Sequence, residues 1–409
     1  MGRHSARPEE SVGGGRIQKA TVEEHAALIR SLVTVEPRVE TLSLADALGR
    51  VTANAVPSPV DLPLFRNSQM DGFAVRAVDL LMIPVTLPVA GAIPASAATP
   101  PPLVGATAVR IMTGAVIPDG ADAIVPVEDT VASDGSVTIT RTRVAGDYVR
   151  ERGSDLRAGD PLLPAGVRLG SRQLAVIAAA GLSTVDVRAK TRVAIITTGA
   201  ELVAPGAAPL PGQIFDANAV ALVAAVSAAG AAVSYTARVT DRSEEMLAAL
   251  TEACAAADIV VTSGGISMGD YEVVRETLEP LGATVTTIAM QPGGPQATAL
   301  IDGVPVLSFP GNPVSTQVSF ELFLAPILRQ LSGTPAAVRE RRVLAVDVTS
   351  VDGKRQFLRG RALPNGGVEL VGGASSHLVA GLAASDLLID IPAETSRLTK
   401  GDTVETLIL

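Results

Sequence analysis

Two apolar strands, each followed by a small-residue loop that carries a carboxylate, constrain the fold of this chain more than any other feature. Val193–Thr197 runs into Thr198-Gly199-Ala200-Glu201, and Ile259–Thr262 runs into a loop that extends from Ser263 to Asp270. In an open α/β sheet such loops leave the carboxyl ends of the strands, where ligands bind. Glycine allows backbone N–H groups to approach a phosphate, and the N-terminus of a following helix favours negative charge. We therefore expect a ligand site at this edge of a sheet.

The segment from Arg192 onward alternates between strand and helix patterns. Strands are expected at 192–198, 232–239, 259–262 and 284–290, and helices at 217–229, 243–256, 271–281 and 313–331. A hairpin-like pair, 299–301 and 305–309, precedes the last helix. Such alternation predicts a parallel sheet with right-handed crossovers.

The chain has 409 residues, which is too long for one ordinary hydrophobic core, so several domains are expected. The predicted fold class is α/β plus β, and the α/β part is expected to form three layers. We expect a disordered tail at 1–16, an N-terminal helical and linker domain at 17–56 and 155–188, an inserted small β domain at 57–154, the α/β domain at 189–333 and a C-terminal β-barrel at 334–409.

The N-terminal region contains two predicted helices. Thr21 and Glu24 have the spacing of a capping box, which predicts a helix that begins after Thr21. His25 lies on this helix, where a solvated or partly buried side chain is expected. A second, short helix is expected at 43–48.

Net charge and cysteine content exclude several classes of protein. The formal net charge is −9, and no Lys/Arg cluster or aromatic platform is present, which argues against nucleic-acid binding. Cys254 is the only cysteine, so intrachain disulfides and cysteine-rich zinc sites are excluded. No stretch has the pattern of a signal peptide or of a membrane span. We therefore expect a cytoplasmic protein that binds neither nucleic acid nor membranes.

A third loop, Phe309–Pro313, adds to the expected site, because Pro313 suits the first position of a helix. Three such loops in one sheet favour a phosphate-bearing ligand with a divalent metal over a purely structural sheet. Asp71, Asp155 and Asp241 lie in polar connections, and such oxygen ligands favour Mg²⁺. Neither a dinucleotide fingerprint nor a Walker A lysine is present.

The stretch Pro57–Met82 is irregular and rich in hydrogen-bonding side chains. A turn that leads into a strand explains this stretch as well as a functional loop does. Asp71 and Asp270 likewise suit turn or cap positions.

Several stretches of the chain occur in the order of one known family. They are Phe65–Ala74, Arg110–Ala115, Pro118–Glu128, Arg152–Asp155, Thr198–Leu202, Ser263–Asp270, Leu307–Ser315, Phe357–Gly360 and Ser375–His377. One such match means little, but the ordered set is specific. On these stretches the chain resembles the molybdopterin molybdenumtransferases, the family of MoeA and of the gephyrin E domain, from about Thr21 to Leu409.

The resemblance implies the last step of molybdenum cofactor biosynthesis. Adenylylated molybdopterin and molybdate bind, Mg²⁺-dependent cleavage of the pyrophosphate link releases AMP, and molybdenum joins the dithiolene. It also implies an elongated homodimer of four-domain subunits with sites shared across the interface. A molybdopterin adenylyltransferase is the implied upstream partner.

The matching stretches also imply the site residues. Catalytic roles are implied for Asp71, Asp155, Glu201, Asp241 and Asp270, with Glu201 and Asp241 also as metal ligands. Contacts with the pterin substrate or its phosphates are implied for Thr113, Thr198, Gly199, Ser263, Gly264, Gly265, Ser267, Pro310, Gly311, Asn312, Arg359 and Ser376.

The chain departs from the family where two lysines usually follow the strand that ends near Met290. Gln291 and Gly294 stand there, and Arg66, Gln69 and Ala200 also differ from the family pattern. A charge contact near a protein surface contributes about 1 to 4 kcal/mol, so weaker molybdate binding is expected. Two interpretations stay open. The chain is either a working transferase with a changed oxyanion pocket or a non-catalytic paralogue that binds molybdopterin or the finished cofactor as a carrier.

Overall fold

The computed structural model describes residues 18–266 and 273–409 and divides the chain into two compact units. One unit comprises the described residues up to Arg38 together with Ala189–Leu409, and the other is Val39–Arg188. The expected tail at 1–16 lies outside the described residues. The segment 17–56, expected as one piece, is divided between the two units. The full division into four domains stays a prediction.

A seven-stranded sheet forms the centre of the first unit. Its strands, in spatial order, are Gln18–Ala20, Thr284–Ile288, Pro295–Ile301, Val304–Phe309, Ile259–Ser263, Arg192–Thr198 and Ala232–Val239. The last four of these are mutually parallel, as predicted. Pro295–Ile301 is antiparallel to both of its neighbours, so the sheet is mixed. The reason is local, because Asp302 and Gly303 both have positive φ and close a two-residue hairpin in place of a crossover.

Helices cover both faces of this sheet. They are Val22–Leu32, Ala217–Ala228, Ser243–Ala256, Val273–Leu278, Pro313–Ser319 and Ala325–Ser332, with a π-helix at Phe320–Leu324 and a 3-10 turn at Glu279–Leu281. Successive residues of a strand point to opposite faces. Val193 and Ile195 accordingly pack in one buried cluster, and Ala194 and Ile196 pack in another. The predicted three-layer α/β arrangement is therefore confirmed.

The first helix begins where the capping box predicts. The Thr21 hydroxyl accepts from the Glu24 amide, and the Glu24 carboxylate accepts from the Thr21 amide. Its buried face consists of Val22, His25 and Ile29, at the spacing of one helical stripe. The expectation of a solvated or partly buried His25 was wrong, since this side chain is 1% exposed.

The second predicted helix, at 43–48, is absent. Val39–Ser43 is a strand that pairs antiparallel with Thr184–Arg188, and a turn follows it. Helix propensity over a few residues is weak, and the pairing of Ser43 with Thr184 places the first residue of the expected helix in a strand.

A closed five-stranded barrel ends the first unit. Its strands are Arg339–Leu344, Arg355–Ala362, Gly367–Leu370, Leu387–Ile391 and Thr403–Ile408. The strand Arg355–Ala362 pairs with both Gly367–Leu370 and Leu387–Ile391, which closes the barrel and removes its edges. The remaining elements of this unit are Val348–Thr349 paired with Arg397–Leu398, Leu202–Val203 paired with Ile214–Phe215, the helix Val379–Ala383, and Met290–Gln291, which pairs with the start of Arg355–Ala362. The predicted C-terminal barrel is confirmed.

The second unit is mainly β structure. Its six-stranded sheet has the order Ala123–Pro126, Gly72–Val75, Ala108–Ile111, Val85–Ile93, Ser136–Ile139 and Thr130–Ser133. Three strand pairs, Val39–Ser43 with Thr184–Arg188, Val56–Pro57 with Pro161–Leu163, and Asn67–Ser68 with Val149–Arg150, accompany it. The helical elements are Ser171–Ala179 and the 3-10 turns Ala77–Leu80 and Val127–Asp129. Across the described parts of both units, no helix is long and apolar enough to span a membrane.

Candidate functional site

A cleft of about 860 Å³ lies in the first unit, at the carboxyl ends of three parallel strands. The loops after Arg192–Thr198, Ile259–Ser263 and Val304–Phe309 all line it, so the expected meeting of three loops at one sheet edge is observed. The predicted site residues that line the cleft are Thr198, Gly199, Glu201, Asp241, Ser263, Gly264, Gly265, Pro310, Gly311, Asn312 and Ser376. Their individual roles stay predictions.

Close backbone contact explains why glycine occupies these loops. Gly264 has a φ of +101°, and a Cβ added there would lie 2.6 Å from the carbonyl oxygen of Thr198. A Cβ added at Gly311 would lie 3.2 Å from the Cα of Gly264. A side chain at Gly264 would therefore push away the loop of Thr198, and one at Gly311 would push away the loop of Gly264. The backbone itself forms this part of the cleft wall.

Asn218 joins two of the loops, although the sequence did not single it out. Its Nδ2 donates to the Oγ of Ser263 at 2.9 Å and to the carbonyl oxygen of Gly311 at 2.7 Å. Within the described residues, the Oδ1 of Asn218 and the Oγ1 of Thr198 are buried without a hydrogen-bond partner. Because buried polar atoms are rarely unpaired, we expect a ligand or an ordered water to satisfy them.

Glu201 and Asp241 place two carboxylates around one turn of backbone. The Oδ2 of Asp241 accepts from the amide of Ala200 at 3.1 Å. The carboxylate of Glu201 folds back over Gly199, where an added Cβ would lie 2.5 Å from its Oε2. Both side chains are exposed and line the cleft, so both are free to contact a ligand.

Asp216, a third acidic residue that lines the cleft, is fully used by the fold. It is buried and forms the N-cap of Ala217–Ala228 by accepting from the amide of Ala219 at 3.0 Å. Its other oxygen accepts from the hydroxyl of Thr197 at 2.6 Å. We therefore interpret Asp216 as a structural cap that orients the helix on which Asn218 lies.

The acidic side chains of the cleft are the candidate ligands of the expected metal ion. Among the described residues, no group of three or more His, Cys, Asp or Glu side chains is placed to hold a metal ion. Mg²⁺ commonly uses only one or two carboxylates and takes its remaining ligands from water and substrate phosphates. Glu201 and Asp241 therefore fit an Mg²⁺ ion that is bound together with a phosphate, and not a metal held by the protein alone.

Positive charge is scarce in the cleft. The described residues that line it include neither lysine nor arginine, and His377 is their sole basic side chain. The Nδ1 of His377 lies 2.8 Å from the Oγ of Ser375. The amide of Val314 donates to the carbonyl oxygen of Ser376 at 3.1 Å, which ties this barrel loop to the α/β part. Neither Ser375 nor His377 was among the site residues predicted from the sequence, although both line the cleft.

Gln291 also lines the cleft, at a position where the resemblance leads us to expect a lysine. Its Oε1 accepts from the Nε2 of Gln356 at 2.7 Å. The side chain is thus held by Gln356 of the barrel. Because glutamine is neutral, it offers an anion no positive charge.

Arg359 was predicted to contact substrate, but it does not line the cleft. Its guanidinium is buried and donates to the carbonyl oxygens of Ser375 at 3.0 Å, of Val371 at 3.4 Å and of Gly373. Burial lowers the pKa of Arg359 from its usual value. The structure thus assigns Arg359 to support of the loop that carries Ser376, because its donors are directed at backbone carbonyls.

The other predicted site residues fall elsewhere. Asp71, Thr113 and Asp155 belong to the second unit, whereas Ser267 and Asp270 lie outside the described residues. The Oδ1 of Asp71 accepts from the hydroxyl of Thr113 at 2.6 Å and from its amide at 2.7 Å. These two hydrogen bonds hold the pKa of the Asp71 carboxyl below its usual value. The structure thus brings Asp71 and Thr113 together, and the Asp71 carboxylate is held by the hydroxyl and the amide of Thr113.

Comparisons with known proteins agree with this architecture. Three family models match the chain: the MoeA N-terminal region (domain I and II) over residues 20–181, a probable molybdopterin binding domain over 194–330, and the MoeA C-terminal region (domain IV) over 341–409. Together these models span nearly all of the described residues.

Individual relatives match along most of their length. The chain is 40% identical over 395 residues to molybdopterin molybdenumtransferase 2 of Mycobacterium tuberculosis, covering 93% of this chain and 97% of that one. It is 34% identical to the molybdopterin molybdenumtransferase of Bacillus subtilis, in a match that covers 90% of each chain. A crystal structure of a molybdopterin biosynthesis MoeA protein from Pyrococcus horikosii superimposes with a TM-score of 0.82 at 32% identity, covering 96% and 99% of the two chains. The chain therefore belongs to the MoeA family of transferases.

Proposed function

We propose that this protein is a molybdopterin molybdenumtransferase, which carries out a late step of molybdenum cofactor biosynthesis. Its substrates are adenylylated molybdopterin and molybdate, and AMP leaves when the pyrophosphate link is cleaved. The curated relatives are named for this activity. The cleft supports the same proposal, because three glycine loops and two carboxylates converge on a space large enough for a nucleotide-sized ligand.

The glycine loops are proposed to bind the phosphates of the substrate. Gly264, Gly265 and Gly311 leave the backbone open to close approach, and Asn218 keeps two of these loops together. Ile214 and Phe215 are 56% and 47% exposed at the same cleft and offer apolar surface to the flat rings of the substrate.

Glu201 and Asp241 are proposed to hold Mg²⁺ together with a phosphate of the substrate. A bound Mg²⁺ neutralises phosphate charge and polarises the P–O bond as a Lewis acid. The direction of the Asp241 carboxylate is fixed by its hydrogen bond from the amide of Ala200, and the Glu201 carboxylate lies over the neighbouring Gly199. Without a metal, the same carboxylates would repel an anionic substrate.

Further site residues are proposed on the strength of the family resemblance. Asp71, Thr113 and Asp155 are proposed to reach the substrate from a second copy of the chain in a homodimer, and Ser267 and Asp270 to complete the phosphate loop. Analytical ultracentrifugation tests the dimer. A molybdopterin adenylyltransferase is the proposed upstream partner, because it makes the adenylylated substrate. A cytoplasmic location of this protein stays a prediction.

The convergence of Glu201 and Asp241 with the glycine loops is the observation that carries this proposal. The test is to incubate the purified protein with adenylylated molybdopterin, Mg²⁺ and molybdate, and to measure AMP and the formation of molybdenum cofactor. Wild-type protein is expected to release AMP in proportion to the cofactor formed. Asp241→Asn serves as the matched control, and AMP release that is equal in both proteins would contradict the assigned site.

A second candidate function is that of a non-catalytic carrier of molybdopterin or of the finished cofactor. The observation that favours it is the neutral Gln291 in a cleft without lysine or arginine among its described lining residues. Tight binding of adenylylated molybdopterin without AMP release would support the carrier and refute the transferase.

A further inference from the structure

A buried polar network adjoins the cleft, and the proposed reaction assigns no role to it. The network joins His25 of the first helix, Gln296 of the sheet and Ser319, and these side chains are 1%, 0% and 0% exposed. Burying polar side chains is unfavourable unless each is hydrogen-bonded, and apolar residues of similar volume would fill the same space. A structural core alone therefore does not require these residue types.

The hydrogen bonds of Gln296 define the direction of the network. Its Nε2 donates to the carbonyl oxygen of Gly293 at 3.1 Å and to the Oγ of Ser319 at 2.9 Å. Its Oε1 therefore faces the Nε2 of His25, at 3.2 Å, and the His25 ring donates to it. The edge-on contact of His25 with Phe323, with ring centroids 4.9 Å apart, holds the imidazole in place.

The far end of the network is the wall of the cleft. Gln291, Pro292 and Gly293 all line the cleft, and Gly293 adopts a φ of +105°. A Cβ added at Gly293 would lie 3.1 Å from the Oγ of Ser319, so the loop is packed directly on the network. The carboxamide of Gln296 thus sets the direction of the Gly293 carbonyl, and with it which backbone groups of the loop face a ligand.

We propose that Gln296, oriented by His25, is a positioning residue that fixes the loop of Gln291, Pro292 and Gly293 for substrate binding. The expected effect on substrate binding rests on the proposed function, whereas the expected effect on the conformational order of this loop does not. Gln296 contacts no substrate itself and acts only through the Gly293 carbonyl.

Gln296→Leu and Ser319→Ala form a matched pair for the test. Both remove the hydrogen bond between Gln296 and Ser319, but only Gln296→Leu also removes the hydrogen bonds to His25 and to the carbonyl of Gly293. Gln296→Leu is expected to raise the KM for adenylylated molybdopterin about three- to tenfold, the range of one net hydrogen bond, with a smaller change in kcat. It should also speed amide hydrogen exchange in a peptide that spans 289–295. Ser319→Ala is expected to lower the melting temperature while leaving both KM and loop exchange near wild type.

Hydrogen exchange separates the failure of this inference from the failure of the proposed function. If wild-type protein neither binds nor converts adenylylated molybdopterin, the proposed function fails, and faster exchange confined to 289–295 in Gln296→Leu still supports the positioning role. Unchanged exchange in that peptide, or equal changes in both variants, would overturn the inference. In active protein, an unchanged KM in Gln296→Leu would overturn it as well.

Discussion

The buried imidazole of His25 makes the stability of this protein depend on pH in a calculable way. Burial lowers the pKa of His25 from its ordinary value of 6.5 to about 4, opposed in part by the hydrogen bond to Gln296. In the unfolded chain the ring gains a proton as the pH falls through 6.5, but in the folded protein it stays neutral until about pH 4. The contribution of His25 to stability is therefore complete above pH 6.5 and is lost progressively between pH 6.5 and 4.

The size of this loss follows from proton linkage. A shift from 6.5 to about 4 amounts to about 3 kcal/mol at full protonation of the unfolded state, and about 2 kcal/mol of it is lost between pH 7 and pH 5. The measurement is urea unfolding at pH 7 and pH 5, followed by circular dichroism because the chain has no tryptophan. Wild-type protein is expected to lose about 2 kcal/mol more than His25→Gln over this interval.

Two controls make the result specific to His25. Ser319→Ala, which alters a buried side chain of the same network but removes no ionisable group, should keep the pH dependence of wild type. If His25→Gln does not fold, the ring resonances of His25 in wild-type protein provide the measurement and should not titrate above pH 5. A wild-type protein and a His25→Gln variant that lose equal stability between pH 7 and pH 5, or a His25 ring that titrates near 6.5, would refute the reasoning.

Two further predictions concern the cleft. Glu201→Gln and Asp241→Asn are expected to lower turnover about 100-fold or more, while changing unfolding free energy by less than about 1 kcal/mol because both side chains are exposed. Parallel losses of activity and stability would argue against a catalytic role. Gly264→Ala places a Cβ 2.6 Å from a backbone oxygen at positive φ. It should lower the free energy of unfolding by about 1 to 3 kcal/mol more than Gly206→Ala, because φ is also positive at Gly206 but an added Cβ meets no neighbouring atom there. Equal melting temperatures for these two variants would show that close loop contact is not the constraint.

Much of the α/β architecture was predictable because its signals are local. Buried strands such as Ile259–Ser263 begin with a run of apolar residues, and the capping box at Thr21 is contained within four residues. The glycine loops were also found from sequence, because a positive φ or a close backbone approach restricts a position to glycine whatever its distant neighbours are. Alternation of strands and helices then placed these loops at one edge of the sheet.

Other features depended on residues far apart in the chain. A helix was predicted at 43–48, because the strand Thr184–Arg188, which pairs with Val39–Ser43, lies about 145 residues away in the sequence. His25 was expected to be at least partly solvated, because its partner Gln296 is remote in sequence. A substrate contact stays a prediction for Arg359, and nothing local in the sequence indicates that its guanidinium is directed at the carbonyls around Gly373.

By itself, the sequence determined that this chain has an α/β core with parallel central strands, glycine loops at one edge of the sheet and the carboxylate of Glu201 beside them. Only the tertiary structure decided which polar groups support that edge: Asn218 between two loops, Arg359 behind the barrel loop, and Gln296 beneath Gly293. The physical reason is that backbone conformation and hydrophobic periodicity depend on residues that are close together in the sequence. A buried hydrogen bond, in contrast, depends on two groups that come together only when the chain has folded.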